Sequence, residues 1–221
     1  MPDLHHSKDN TNNMKIALFG GTGKAGRHLL EALLEVGHEV TALVRTPQNL
    51  LMSHANLKIV QGDVLEAEPV LQALEGQEIV ISAISEGTTP VRKTQSGGMV
   101  NILAAMQQKG IRRIICMGGA GLLQFNETER INEQPWFPAM LKDVALEHME
   151  VLRLLQTSGF EWTIVCPPMI LNAPHDGKFM VTADYAPTQN NEVNAGNIAD
   201  FIAEELTARI FVNKRVGITN A

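Results

Sequence analysis

The chain has 221 residues, 44% of them hydrophobic, and a formal charge of −6 at neutral pH. That length accommodates one α/β domain with a full sheet and does not call for a second. The acidic balance, with Lys and Arg scattered, argues against nucleic acid as a partner, and no apolar run is long enough to read as a membrane span.

Residues 1–13 are polar and predict a disordered tail without a secretory signal, with Met14 an alternative start. His5-His6 is too short for a metal site, and no metal is expected elsewhere. From Lys15 to Phe19 a continuous apolar run predicts a parallel strand covered on both faces. Gly20-Gly21-Thr22-Gly23-Lys24-Ala25-Gly26 follows, and then a helix whose Leu29, Leu30, Leu33 and Leu34 share one face, closed by Gly37. Glu39 to Val44 is a second strand and Leu57 to Val60 a third. A short helix carrying Val70, Leu71 and Leu74 stops at Gly76. Glu78 to Ile84 is strand four, Ser85 to Gly98 a polar, glycine-rich loop, and Ile102, Leu103, Ala105 and Met106 line a helix ending at Gly110. Ile111 to Met117 is strand five, running into Gly118-Gly119-Ala120-Gly121.

The longest helical pattern spans Ala139 to Thr157, with Leu141, Val144, Ala145, Met149, Leu152 and Leu155 inward. Phe160 to Cys166 is strand six, stopped by Pro167-Pro168; Asn197 to Ala208 is a last helix and Val216 to Thr219 an edge strand. The alternation predicts a Rossmann-like, doubly wound parallel sheet in three α/β/α layers forming a single domain over residues 14–221. Cys116 and Cys166 lie far apart at strand ends, without His, Lys or Arg beside them in sequence. They read as small buried hydrophobes in a protein of the reducing cytoplasm.

A strand, a glycine-rich turn and a helix in succession meet the structural conditions for a dinucleotide-binding loop. Glycines let the backbone approach the pyrophosphate, while free amides and the helix dipole attract its charge. Gly20, Thr22, Gly23, Lys24, Ala25 and Gly26 are therefore assigned to cofactor binding. Arg45-Thr46 ends strand two, 25 residues after Gly20, with no acid at the tip. An Arg there suits the 2′-phosphate of NADP rather than the free ribose hydroxyl of NAD, and Lys24 could share that charge.

In such sheets ligands lie outside the carboxyl ends of the strands. Asp63 would accept from the adenine amine while Val64 covers the ring, or Asp63 would cap the next helix. Ala83, Ile84 and Ser85 would border the nicotinamide ribose, and Gly118 and Gly119 the nicotinamide.

The segments 15–26, 39–45, Gly62-Asp63-Val64 and Thr163 to Pro168 resemble the atypical short-chain dehydrogenase/reductase superfamily, within it the biliverdin-IXβ reductase/flavin reductase group and the NmrA-like NAD(P)-binding proteins. The reductase group implies NADPH binding by one Rossmann domain and hydride transfer to flavins or linear tetrapyrroles. The departures narrow this. The single tyrosine, Tyr185, has Gln189 four positions later, so the usual Tyr-x-x-x-Lys pair is absent. A serine common after strand five is replaced by Gly118-Gly119.

Hydride transfer to an acceptor with its own favourable electronics remains, and it needs positioning more than a general acid. A flavin-like or quinone-like planar molecule fits, the flavin as substrate rather than prosthetic group. Leu122, Leu123, Trp136, Phe137, Pro168 and Met169 are the expected pocket residues, with simple loop packing the alternative for Trp136-Phe137. His148 matches a histidine of the biliverdin-IXβ reductase group and is the one candidate proton donor, or a solvated helix residue beside Glu147. That group's second histidine is Met169 here, which weighs against tetrapyrroles. An NmrA-like NADP sensor without turnover and a reductase of another small biosynthetic intermediate are the alternatives. A monomer or weak homodimer is expected.

Overall fold

The strands run as near-continuous apolar segments because helices cover both faces of the sheet they form. The computed structural model describes residues 13–87, 92–187 and 190–221; the expected tail up to residue 12, Gln189 and the middle of the 85–98 segment lie outside them. The strands are β1 (Lys15–Phe19), β2 (Glu39–Val44), β3 (Leu57–Gln61), β4 (Ile79–Ser82), β5 (Arg113–Met117), β6 (Glu161–Cys166), β7 (Met169–Leu171), β8 (Phe179–Ala183), β9 (Glu192–Asn194) and β10 (Lys214–Asn220). The helices are α1 (Lys24–Glu35), α2 (Ala67–Ala73), α3 (Thr94–Lys109), α4 (Lys142–Ser158) and α5 (Ala195–Ala208).

The main sheet has the order β3-β2-β1-β4-β5-β6-β10-β8, all parallel except β8, which pairs antiparallel with β10. Its first six positions are the dinucleotide-binding order, which reverses between β1 and β4 and opens a crevice there. Alternation along β1 divides the core. Ile16 and Leu18 join the cluster on the α1/α5 face, while Ala17 and Phe19 join the cluster under α2, α3 and α4. All four β1 side chains are essentially inaccessible to solvent, so a one-residue slip of this strand would exchange the two cores.

Three expectations about the elements are corrected. Val216 to Thr219 is not an edge: it belongs to β10, which lies between β6 and β8, and β8 takes the edge. The half-buried Phe179–Ala183 strand follows a polar stretch with Pro, His, Asp and Gly, so its weak alternation carried no clear signal, and the three-residue β7 and β9 were equally silent. The 85–98 segment is not loop throughout, because α3 begins at Thr94. Its first turn is polar yet buried, with Thr94, Gln95 and Ser96 each less than a tenth exposed. Finally, the long helix opens as a 3₁₀ turn over Ala139–Leu141 before α4 proper.

At the opposite end of the sheet from the crevice, Arg113 of β5 pairs with Glu205 of α5 at 3.0 Å, both side chains almost wholly buried. The pair ties helix to sheet below the core. Cys116 and Cys166 are buried in strands, and burial pushes the Cys116 thiol up to about 12 and the Cys166 thiol up as well.

Candidate functional site

The crevice between β1 and β4 is shaped by glycine. Gly20 leaves β1 with φ of +83°, and a Cβ there would stand 2.5 Å from the Ala83 carbonyl at the end of β4. Gly26, one turn into α1, faces the Gly20 carbonyl so closely that a Cβ would fall 2.1 Å from its oxygen. Gly26 thus seats the helix against the turn and lies outside the cavity lining. At Gly23 the nearest atom to such a Cβ is 3.4 Å away, ordinary contact, so the protein itself leaves room there. Gly23 is the N-cap of α1, no side chain caps it, and no acid occupies its first turn. The leading amides of a twelve-residue helix therefore face the crevice without a competing carboxylate.

A cavity of about 570 Å³ extends from this turn. On one side it is lined by Gly20, Thr22, Gly23, Lys24 and Ala25, by Arg45, by Val64, and by Ala83, Ile84 and Ser85. Of the residues assigned to the cofactor, Gly26, Thr46, Asp63 and Gly119 are not in that lining. Thr46 begins the 3₁₀ turn Pro47–Asn49 behind Arg45. Asp63 is already engaged: one oxygen accepts from the Leu65 amide at 3.1 Å and the other from Arg92 Nη2 at 2.7 Å. Burial alone would raise this carboxyl, but the bonds from Arg92 and Leu65 and the field of Arg45 outweigh it and hold Asp63 below the ordinary carboxylate value. It is thus a turn-former with a committed carboxylate rather than the cap of α2, whose N-cap is Glu66.

Arg45 stands exposed at the end of β2, without a salt-bridge partner among the described residues. Lys24 is placed differently from the expectation of a shared 2′-phosphate charge. Its Nζ donates to the Ile170 carbonyl of β7 at 2.9 Å, tying the glycine turn to the far wall.

That far wall comes from α4, β5 and β7. Leu141, Val144 and His148 line the cavity, with Met117, Gly118, Met169 and Ile170 beside them. The spacing 141, 144, 148 is one helical stripe, so the signal that could have found Leu141 and Val144 was present, and it reads as cavity rather than core. His148 is half-buried rather than solvated, and burial pushes it down to about 4. The imidazole is therefore neutral near pH 7. Its Nε2 lies 3.2 Å from Nε2 of Gln95, which also donates to the Ile84 carbonyl at 2.9 Å. Neighbouring Glu147 is buried too, accepting from the amide and hydroxyl of Ser96 at 3.2 and 2.8 Å.

The remaining pocket residues lie elsewhere. Gly119 is covered by the His148 ring, whose Nδ1 and Cε1 would be 3.0 Å from a Cβ. Leu122 and Leu123 are 1% and 0% exposed and pack in the core beneath the cavity. Phe137 packs on Gly121. Trp136 stacks edge-on with Phe125, centroids 5.9 Å apart, and is more than half exposed. Pro168 precedes β7 without lining the cavity. A run of apolar residues after a strand does not reveal which of them turn under the sheet, and this separated Leu122 and Leu123 from the wall. Tyr185 is also outside the lining; its backbone bridges to Gln124. Among the described residues no helix is long and apolar enough to cross a membrane, and no group of three His, Cys, Asp or Glu side chains is placed to hold a metal.

Residues 20–209 match the NAD(P)H-binding family. The chain belongs to that family and, through it, to the atypical short-chain dehydrogenase/reductases. It is 30% identical to the uncharacterized protein YwnB of Bacillus subtilis over 70% of this chain and 71% of that protein. Its structure matches that of a Streptococcus pneumoniae protein assigned as an NADH-flavin reductase with a TM-score of 0.83 and 25% identity, covering 95% of this chain and all of the other. A Veillonella parvula short-chain dehydrogenase/reductase solved in complex with NADP shares the fold, with a TM-score of 0.75 at 18% identity over 94% of each chain. Two further curated relatives, the photosystem II assembly factor Ycf39 of Synechocystis and a 3 beta-hydroxysteroid dehydrogenase/Delta 5-->4-isomerase of Mycobacterium tuberculosis, are longer proteins, and the match spans about a third of their length.

Proposed function

We propose that the protein is an NADPH-dependent reductase that passes hydride to a planar, flavin-like or quinone-like acceptor. The observation that carries this reading is the continuity of one cavity from the glycine turn and Arg45 to an opening walled by Gly118, Leu141, Val144 and Met169, with no tyrosine in its lining. The residues present suit the dinucleotide. The uncapped start of α1 offers amides to a pyrophosphate, and the exposed Arg45 guanidinium offers a fork to a 2′-phosphate. Ala83 and Ile84 bring backbone to the ribose side.

NADPH, when bound, supplies the hydride. What the chain itself does is hold and orient. Leu141 and Val144 exclude water from one wall, Gly118 meets the cavity as backbone because a Cβ there would run into Ile164 and Leu122 in the core, and neutral His148 provides a hydrogen-bonding edge rather than a charge. Lys24, reaching across to Ile170, links the cofactor side to the acceptor side. Without a Tyr-x-x-x-Lys pair to protonate an alkoxide, an acceptor that stabilises its own reduced form and takes its proton from solvent is the chemistry these walls serve. The assignment of the Streptococcus pneumoniae protein as an NADH-flavin reductase supports the same class of acceptor.

The test is steady-state oxidation of NADPH and NADH with FMN, riboflavin and a short-chain quinone. Turnover with at least one acceptor, and a higher kcat/KM for NADPH, is expected. Tight NADPH binding with no turnover on any of them would replace the reductase with a cofactor-sensing protein.

A further inference from the structure

Two consecutive residues of α3 grip two consecutive residues of α4 in reverse order. Ser96 donates twice to Glu147, and beside it Gln95 meets His148. The start of α3 is held on its other side as well, where the Thr94 amide donates to Glu86 Oε2 at 3.0 Å. Gln95 is 6% exposed and its backbone is bolted in place, so its carboxamide has little freedom.

The orientation of that carboxamide follows from its partners. The Ile84 carbonyl, 2.9 Å away, can only accept. The amide NH₂ must therefore face it, since the reverse orientation would oppose two oxygens. The second N–H of the same nitrogen is then directed at His148 Nε2, 3.2 Å away, which must accept. An imidazole that accepts at Nε2 while neutral carries its proton on Nδ1. The Nδ1–Cε1 edge lies over Gly119, next to the cavity-lining Gly118. Gln95 Oε1, meanwhile, has no partner among the described residues. A buried acceptor left unpaired is costly, and here it accompanies both N–H groups being used on the β4 exit and the histidine.

We propose that Gln95 is a positioning residue: anchored on the Ile84 carbonyl, its carboxamide holds His148 as the Nδ1–H tautomer, so that a hydrogen-bond donor of defined direction stands at the end of β5 on the acceptor side. This rests on the reductase reading for its purpose, though not for its geometry. The imidazole donates a hydrogen bond to a carbonyl oxygen or ring nitrogen of the acceptor and keeps its proton. Glutamine suits the task in a way glutamate does not. A carboxylate would repel the Ile84 carbonyl and draw a proton onto Nε2.

Long-range ¹H–¹⁵N correlation on the full chain labelled at histidine reads the tautomer directly. In the wild-type protein His148 should show a protonated Nδ1 and a bare Nε2, and Gln95→Met should lose that preference. In turnover, Gln95→Met should lower kcat about tenfold, as His148→Ala should, and the double variant should fall no further. A protonated Nε2 in the wild type overturns the proposal whatever the variants do. So does a Gln95→Met loss that is equally large in the His148→Ala background, because that would mark a merely structural role. If no acceptor is reduced at all, the reductase reading fails while the spectrum still decides the tautomer.

Discussion

Between β1 and β4 the cavity wall is backbone: Gly20 passes so close to Ala83 and Gly26 so close to Gly20 that no side chain fits. Across from it the wall is side chain, a helical stripe of Leu141, Val144 and His148 with Met169 beside it. The first wall touches what every dinucleotide shares, and changing it means moving strands. The second can change residue by residue while the fold stays intact, so in the proposed reductase the choice of acceptor belongs there.

The sharpest way to break this contrast is Gly20→Ala. A Cβ would stand 2.5 Å from the Ala83 carbonyl in a backbone conformation of positive φ, a conformation that alone costs roughly 1–2 kcal/mol for an L-residue. NADPH affinity should fall at least about a hundredfold, roughly 3 kcal/mol, and the melting temperature should drop with it. Wild-type values in a fluorescence titration and a thermal melt would show that the backbone wall yields. Gly23→Ala has 3.4 Å of room and should melt like the wild type, so its effect isolates the cofactor.

Arg45→Glu tests the side chain proposed to meet the 2′-phosphate. A charge-assisted bond to phosphate contributes about 1.5–3 kcal/mol, so the preference for NADPH over NADH should shrink by about tenfold to a hundredfold. The ratio of kcat/KM for the two cofactors measures it, and an unchanged ratio removes the 2′-phosphate from Arg45.

On the other wall, His148 makes stability depend on pH. Its folded pKa, near 4, lies below the ordinary 6.5, so the unfolded chain binds the proton first. Acidification from 6.5 towards 4 therefore costs stability, about 2–3 kcal/mol by pH 4, and below that the loss is complete. His148→Gln should remove this part of the slope in urea titrations run across the window. His38, buried just before β2 and also lowered by burial, should keep its own contribution in the variant. Equal slopes in the two proteins would place His148 in solvent.

The same division explains what could be read without coordinates. The strand, turn and helix around Gly20 are contiguous, and their packing is dictated by local spacing, so the doubly wound fold and the tight turn at the glycines were legible, while the place of β10 inside the sheet was not. The position of Arg45 in the same cavity as the glycine turn was legible because the end of β2 is a known distance along the chain. The far wall was legible only in part. Leu141 and Val144 stood on the right helix but were assigned inward, because helical periodicity identifies a face and not what the face meets. Gln95 sits in a polar, glycine-rich segment that gave no helical signal until burial against Glu147 and His148 made it the first turn of α3. Those contacts join residues about fifty positions apart, and no local pattern encodes them.

The smallest expected effect is the most informative about where the second wall ends. The sequence offers Trp136, in a dipeptide between two prolines after strand five, either as a pocket residue or as simple loop packing. In the structure it rests on Phe125 at the surface and is absent from the cavity lining. An exposed edge-to-face pair is worth about 0.5–1.5 kcal/mol, so Trp136→Ala should cost about 1.5 kcal/mol of stability at most and leave kcat/KM for the acceptor within about twofold. Leu141→Ala provides the scale. It removes apolar surface from the lining itself and should raise the acceptor KM by about tenfold, the transfer free energy of a few methylene groups, with the NADPH KM unchanged. If instead Trp136→Ala raises the acceptor KM as much as Leu141→Ala does, the segment between β5 and α4 closes over the acceptor during turnover. The side-chain wall would then include a loop as well as a helix.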